Sequence, residues 1–147
     1  PYVLGCQINL GIVRRYLGDV VEAMELLRST RDRLLEVLGD GHHYSLTAST
    51  ALATAVSEVG EAEEARQLDA SALPRLQNLL GHDHPHALAC ATNLVADLRA
   101  LERQDEADEL STDSLPRYRR ALGEDHPEVT AAEMGERIAI DFEPSPI

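Results

Sequence analysis

The stretch LGHDHPHAL, residues 80–88, returns as LGEDHPEVT at 122–130 and, less closely, as LGDGHHYSL at 38–46. Alone, its imidazoles His82, His84 and His86 beside Asp83 suggest a metal or catalytic cluster. As one of three copies, it reads as punctuation between structural units. Gly39, Gly81 and Gly123 stand 42 residues apart, and so do His42, His84 and His126. The register extends through Leu10, Leu52 and Leu94, through Ala23, Ala65 and Ala107, and through Arg33, Arg75 and Arg117. Self-similarity at such a period marks a stack of repeats.

Each unit reads as two helices. Leu88, Ala91, Leu94, Val95 and Leu98 recur at intervals of three and four, the apolar stripe of an amphipathic helix. A break follows near residues 102–104, where the earlier units carry Gly18 and Gly60 as helix-ending glycines. A second helix then runs from about Asp105 to Leu122. Pro85 and Pro127 fall where a first-turn proline is tolerated, with Asp83 or His84 as the cap. Pro74 and Pro116 fall inside the second helices, where the missing N–H predicts a kink or local break. The expected fold is all-α: a right-handed solenoid of antiparallel helix pairs. Three units span 1–38, 39–80 and 81–122, a capping helix spans 123–140 and a tail spans 141–147.

Composition narrows the function. The net charge is −13, and all 13 basic residues are Arg. Such a field repels nucleic acid and anionic membranes, and with 3% aromatic residues there is little to stack on bases. Without Lys, Schiff-base and phosphate-loop lysine chemistry is excluded. No serine-hydrolase elbow, zinc-protease motif or calcium loop occurs. The expectation is no enzyme, no cofactor and no metal. The acidic runs follow a helical surface pattern, and RYRRAL (117–122) is expected to pair with neighbouring carboxylates. Cys6 and Cys90 share one repeat position two units apart, too distant to bond; both are expected to be small buried groups. No apolar run is long enough to cross a membrane, which fits a cytoplasmic protein. The Ala- and Arg-rich usage suggests a bacterial source.

Within each unit a Leu and a small residue precede a Gly and then an Ala: Leu10, Gly11, Gly18, Ala23, then Leu52, Ala53, Gly60, Ala65. The third unit has Leu94, Val95, Glu102 and Ala107, with Glu102 in the glycine's place. This spacing resembles the tetratricopeptide repeat. The 42-residue length, the G-x-D-H-P opening and the x-N-L of the first helix resemble its kinesin light chain type. Such arrays also occur in large actinobacterial regulators behind a nucleotide-binding switch domain, and DFEPSPI (141–147) resembles the ends of some of them.

The resemblance implies a concave surface, lined by the first helices, that holds a partner peptide. On that arc stand Asn9, Thr47, Thr54, Glu58, Asn93 and Asp97, among small residues. Asn9 and Asn93 match the family's groove asparagine, whose amide pairs with a peptide backbone from both sides; Ala51 departs from it. Basic residues to clamp a carboxylate are absent from this arc, so a neutral or basic peptide is expected. Asn93 is equally well read as satisfying a neighbouring backbone group. The second functional reading is assembly or intramolecular regulation, because residues 1–11 look like a first helix without its covering neighbour, open to pairing two chains end to end.

Overall fold

The computed structural model describes residues 2–139. Its elements run α1 (Tyr2–Tyr16), α2 (Val20–Leu38), α3 (His43–Glu58), α4 (Ala62–Leu80), α5 (Pro85–Ala100), α6 (Gln104–Leu122) and α7 (Pro127–Glu133), with no strand among the described residues. Consecutive helices pack against each other along the whole chain. The odd helices also touch one another, α1 with α3 and α3 with α5, whereas no comparable contact joins α2, α4 and α6. The odd helices therefore form the inner row of the array and the even helices the outer row.

The repeated turn has a backbone cause. Gly39, Gly81 and Gly123 end the even helices at φ +82, +98 and +94° with extended ψ of 174, 156 and 151°. That region is essentially closed to residues with a Cβ. Three residues later, His42, His84 and His126 begin the next helix, each accepting the N–H two residues on through Nδ1. The histidines are thus N-caps, and between Asp83 and His84 the cap is His84. His43 and His86 stack with ring centroids 6.2 Å apart and His82 is exposed. No group of three or more His, Cys, Asp or Glu placed to hold a metal occurs among the described residues.

The turns within units are helix-ending motifs in which the last carbonyls accept from the residues just beyond. Gly18 and Gly60 sit there at φ +92 and +87°. In the third unit Glu102 takes the place at φ +58°, with its N–H on Arg99 O and that of Arg103 on Leu98 O. Arg75 and Arg117, one repeat apart, each reach an aspartate in the turn that opens their own unit, Asp40 at 2.7 Å and Asp83 at 3.0 Å. Arg119 pairs with Glu133. Exposed pairs of this kind contribute about 0–1 kcal/mol each, so they trim the stacking and the apolar seams carry it.

Two expectations fail, and one part of a third. Pro74 and Pro116 leave α4 and α6 running through them, so neither makes a local break. Both rings lie on the exposed outer side, where a carbonyl without its helical donor faces water. Cys6 is exposed while Cys90 is buried. The stripe Val3, Cys6, Leu10 meets solvent, but its repeat counterparts Ser45, Ala48 and Leu52 are covered by α2. Leu10 is 46% exposed and Leu52 is 0% exposed. Finally, the capping helix expected to reach 140 stops at Glu133. Gly135, at φ +74°, closes it: its N–H bonds Ala132 O, and that of Glu136 bonds Ala131 O. The tail 141–147 and residue 140 lie outside the described residues.

Candidate functional site

Residues 136–139 are not helical, and Arg137 and Ile138 turn back onto the inner row. Asn93, in the middle of α5 and fully buried, holds this segment at one residue. The N–H of Ile138 donates to Asn93 Oδ1 at 2.6 Å, and Asn93 Nδ2 donates to the Ile138 carbonyl at 2.9 Å. One side-chain amide thus occupies both backbone groups of one residue, as a neighbouring strand would. Ile138 is 5% exposed and joins an apolar cluster with Leu88, Ala89, Tyr118, Val129 and Ala132. The Tyr118 hydroxyl donates to Glu128 at 2.6 Å, tying α6 to α7 behind that cluster.

Arg137 reaches past the inner row. Its guanidinium donates to Asp69 Oδ2 on α4 at 2.9 Å, to Asp97 Oδ1 on α5, and to the Thr54 hydroxyl on α3 at 3.4 Å. Asp69 is 0% exposed and Asp97 2%. Burial pushes the Asp69 carboxyl well above the usual carboxylate range; Arg137 opposes that shift and Asp97 adds to it. Asp97 is also raised by burial, with Arg137 again opposing. Beside them the Cys90 thiol is pushed up, first by burial and then by Asp69. Asp97 Oδ2 and Arg137 Nε are buried without a hydrogen-bond partner among the described residues. A buried polar group in that state is costly.

Of the residues expected on the inner arc, the structure gathers Thr54, Asn93 and Asp97 around residues 137–138. Thr47 is placed elsewhere and is nearly buried, its hydroxyl donating to His43 O. Thr54 likewise donates to Thr50 O within its own helix. Glu58 is exposed and pairs with Arg15 of α1, and Asn9 is half-buried on α1. The open, small-walled groove expected across all three units is therefore closed over α3 and α5 by tight packing and by the chain's own segment.

Sequence reading missed Asp69, Arg137 and Ile138. A signal for Asp69 exists. In repeat register Asp69 stands at Leu27, which is fully buried in the first unit. An acid at a core position is seldom neutral in meaning, because carboxylates are rarely buried unless paired.

Curved stacks of helix pairs with a polar inner surface define a class of repeat module for contacts between proteins. The tetratricopeptide repeat family model matches residues 4–78 and 46–120, and the chain belongs to that family. Comparison with curated proteins gives no match. Among solved structures, the nearly identical TPR-like repeats of a Podospora anserina protein of kinesin light chain type superpose with a TM-score of 0.79 at 26% identity. The match covers 87% of this chain but only 61% of that one. The chain is thus a tetratricopeptide protein of kinesin light chain type, and such repeats are generally protein-interaction modules. No helix among the described residues is long and apolar enough to cross a membrane.

Proposed function

We propose that this array is a non-catalytic scaffold that binds a neutral or basic partner peptide along its inner row, where residues 137–138 now cover α3 and α5 and a partner takes their place. The observation that carries this reading is the Asn93 amide, which holds both backbone groups of an extended residue at 2.6 and 2.9 Å. Recognition of that kind is indifferent to side chain and suits a peptide. The carboxyls of Asp69 and Asp97 favour a basic one. Nucleic acid and membranes fit poorly with a net charge of −13. Free thiols at Cys6 and Cys90 suit the cytoplasm.

Site-directed photo-crosslinking tests the reading. A photoreactive residue at Asn9 or Glu58, on the inner arc, should capture peptides selected on the intact chain; one at Leu79 or Arg120, on α4 and α6, should not. Capture only from the outer positions refutes it.

A second reading, assembly through the exposed face of α1, has its own observation. Tyr2, Val3, Leu10, Val13 and Leu17 of the first unit are all exposed. Pairing of two chains over that face predicts a mass that rises with concentration and falls in Leu10→Arg. A concentration-independent mass refutes it.

A further inference from the structure

We infer that the polar site of Thr54, Asp69 and Asp97 over α3, α4 and α5, with the apolar cluster of α5, α6 and α7 beside it, is a receptor for an extended peptide bearing arginine followed by a branched aliphatic residue, and that Arg137–Ile138 fills it in cis as a tethered competitor. The inference rests on the inner row being the binding surface and adds what that surface selects.

The occupying segment departs from the repeat. Glu136 and Arg137 correspond to Leu94 and Val95, which lie inside α5, yet here the chain has left its helix at Gly135. The pocket departs from the repeat in a matching way. Asp69 replaces Leu27, and Asp97 replaces Val13 and Ala55. Two carboxyls have been placed at apolar positions, and one guanidinium reaches both. Burying two ionised acids without a cation is strongly unfavourable, so with its carboxylates charged the pocket favours a positive group. A forked, planar one spans two carboxylates and a hydroxyl, whereas an ammonium presents a compact point charge. The next side chain is selected by the apolar cluster that takes Ile138.

The cis ligand is an imperfect fit. Arg137 Nε stays unpaired although buried. What holds the segment is proximity: three residues separate the end of α7 from Arg137. A tether that short corresponds to an effective concentration of about millimolar. A free peptide making the same contacts therefore binds the native chain weakly. A partner displaces the segment by pairing all of its own guanidinium or by adding contacts further along the inner row.

The probe is the capped peptide Gly-Glu-Arg-Ile-Ala, titrated against the full chain and against Arg137→Ser/Ile138→Ser. The double variant should bind it at least about tenfold more tightly than the native chain, the advantage expected once a tethered competitor is removed. A peptide with citrulline for arginine should not bind. Equal affinity for both chains, or equal binding of the citrulline peptide, overturns the inference. Should the double variant not fold, the amide signal of Ile138 in the native chain decides. Millimolar peptide should shift it as the bond to Asn93 Oδ1 opens; a signal unmoved at that concentration overturns the inference. Peptides that crosslink to Glu58 with no preference for arginine would overturn it while leaving the inner-row reading intact. Silence in both experiments overturns both.

Discussion

Removing the Arg137 guanidinium should destabilise the array, and the loss should depend on pH in a direction fixed by Asp69 and Asp97. In Arg137→Met the side-chain volume is nearly kept while two buried carboxyls lose their cation. Breaking a buried pair from one side costs about 3–5 kcal/mol. The lower end applies here, since Arg137 retains some access to solvent and the carboxyls can take up protons. At about 2–4 °C per kcal/mol for a chain of this size, the melting midpoint at pH 7 should fall by roughly 6–12 °C. Both carboxyls are already raised by burial, with Arg137 opposing, so its loss raises them further. A carboxyl raised in the folded state leaves stability intact below its unfolded value, and stability is lost as pH climbs through the raised value. The gap between variant and native chain should therefore narrow from pH 7 to pH 5, by up to about 1.4 kcal/mol per pH unit for each proton taken up. Thermal melts by circular dichroism at both pH values, with Arg137→Lys as the charge-keeping control, decide it. A shift under about 2 °C, or a gap that widens toward pH 5, would refute the account of the buried triad.

The other predictions are shorter. Glu102→Gly relieves the left-handed backbone at φ +58° and should stabilise by about 0.5–1 kcal/mol, seen as a higher melting midpoint; an unchanged or lower one contradicts that strain. A maleimide should label Cys6 and spare Cys90 in the folded chain, with both labelled only in denaturant; labelling of Cys90 under native conditions would mean that α4 and α5 open. The pKa of His84 is lowered, by burial and then by His86. Its cap is therefore intact above the unfolded imidazole value of about 6.5 and lost as pH falls through the lower folded value. His84→Asn, a cap that does not titrate, should flatten the decline in melting midpoint between pH 7 and pH 5; an unaltered slope would exclude this cap as a contributor.

What was legible in the sequence, and what was not, follows from how a repeat stores information. The turn at Gly81 is legible because three copies share one backbone demand, a conformation only glycine reaches; spacing alone leaves the cap between Asp83 and His84, and the structure gives it to His84. The same averaging misled at the ends. Cys6 was assigned the burial of Cys90, yet burial at that position is supplied by the preceding outer helix, which covers Ala48 and Cys90 but not Cys6. The last helix was drawn to 140 by its likeness to α5, although Gly135 stands where α5 has Asn93. Pro74 and Pro116 make no local break because their cost depends on which side of the helix they face, and both face water.

The candidate site is written in the departures from the repeat. Asp69 for Leu27, Asp97 for Ala55, Gly135 for Asn93 and Arg137 for Val95 each weaken the array if taken singly. An acid in a core, a helix stopped after seven residues and a buried cation all oppose folding by themselves. Together they cancel: the glycine frees the segment, the segment brings the cation, and the cation neutralises the acids. Sequence spacing could place Asn93 and Asp97 on one face because both lie on α5. It could not bring Arg137 to Asp69, which lies 68 residues away across two helix layers. Correlated exceptions of this sort are the sequence trace of one buried cluster, Arg137 with Asp69 and Asp97, and they are what the proposal of guanidinium recognition is argued from.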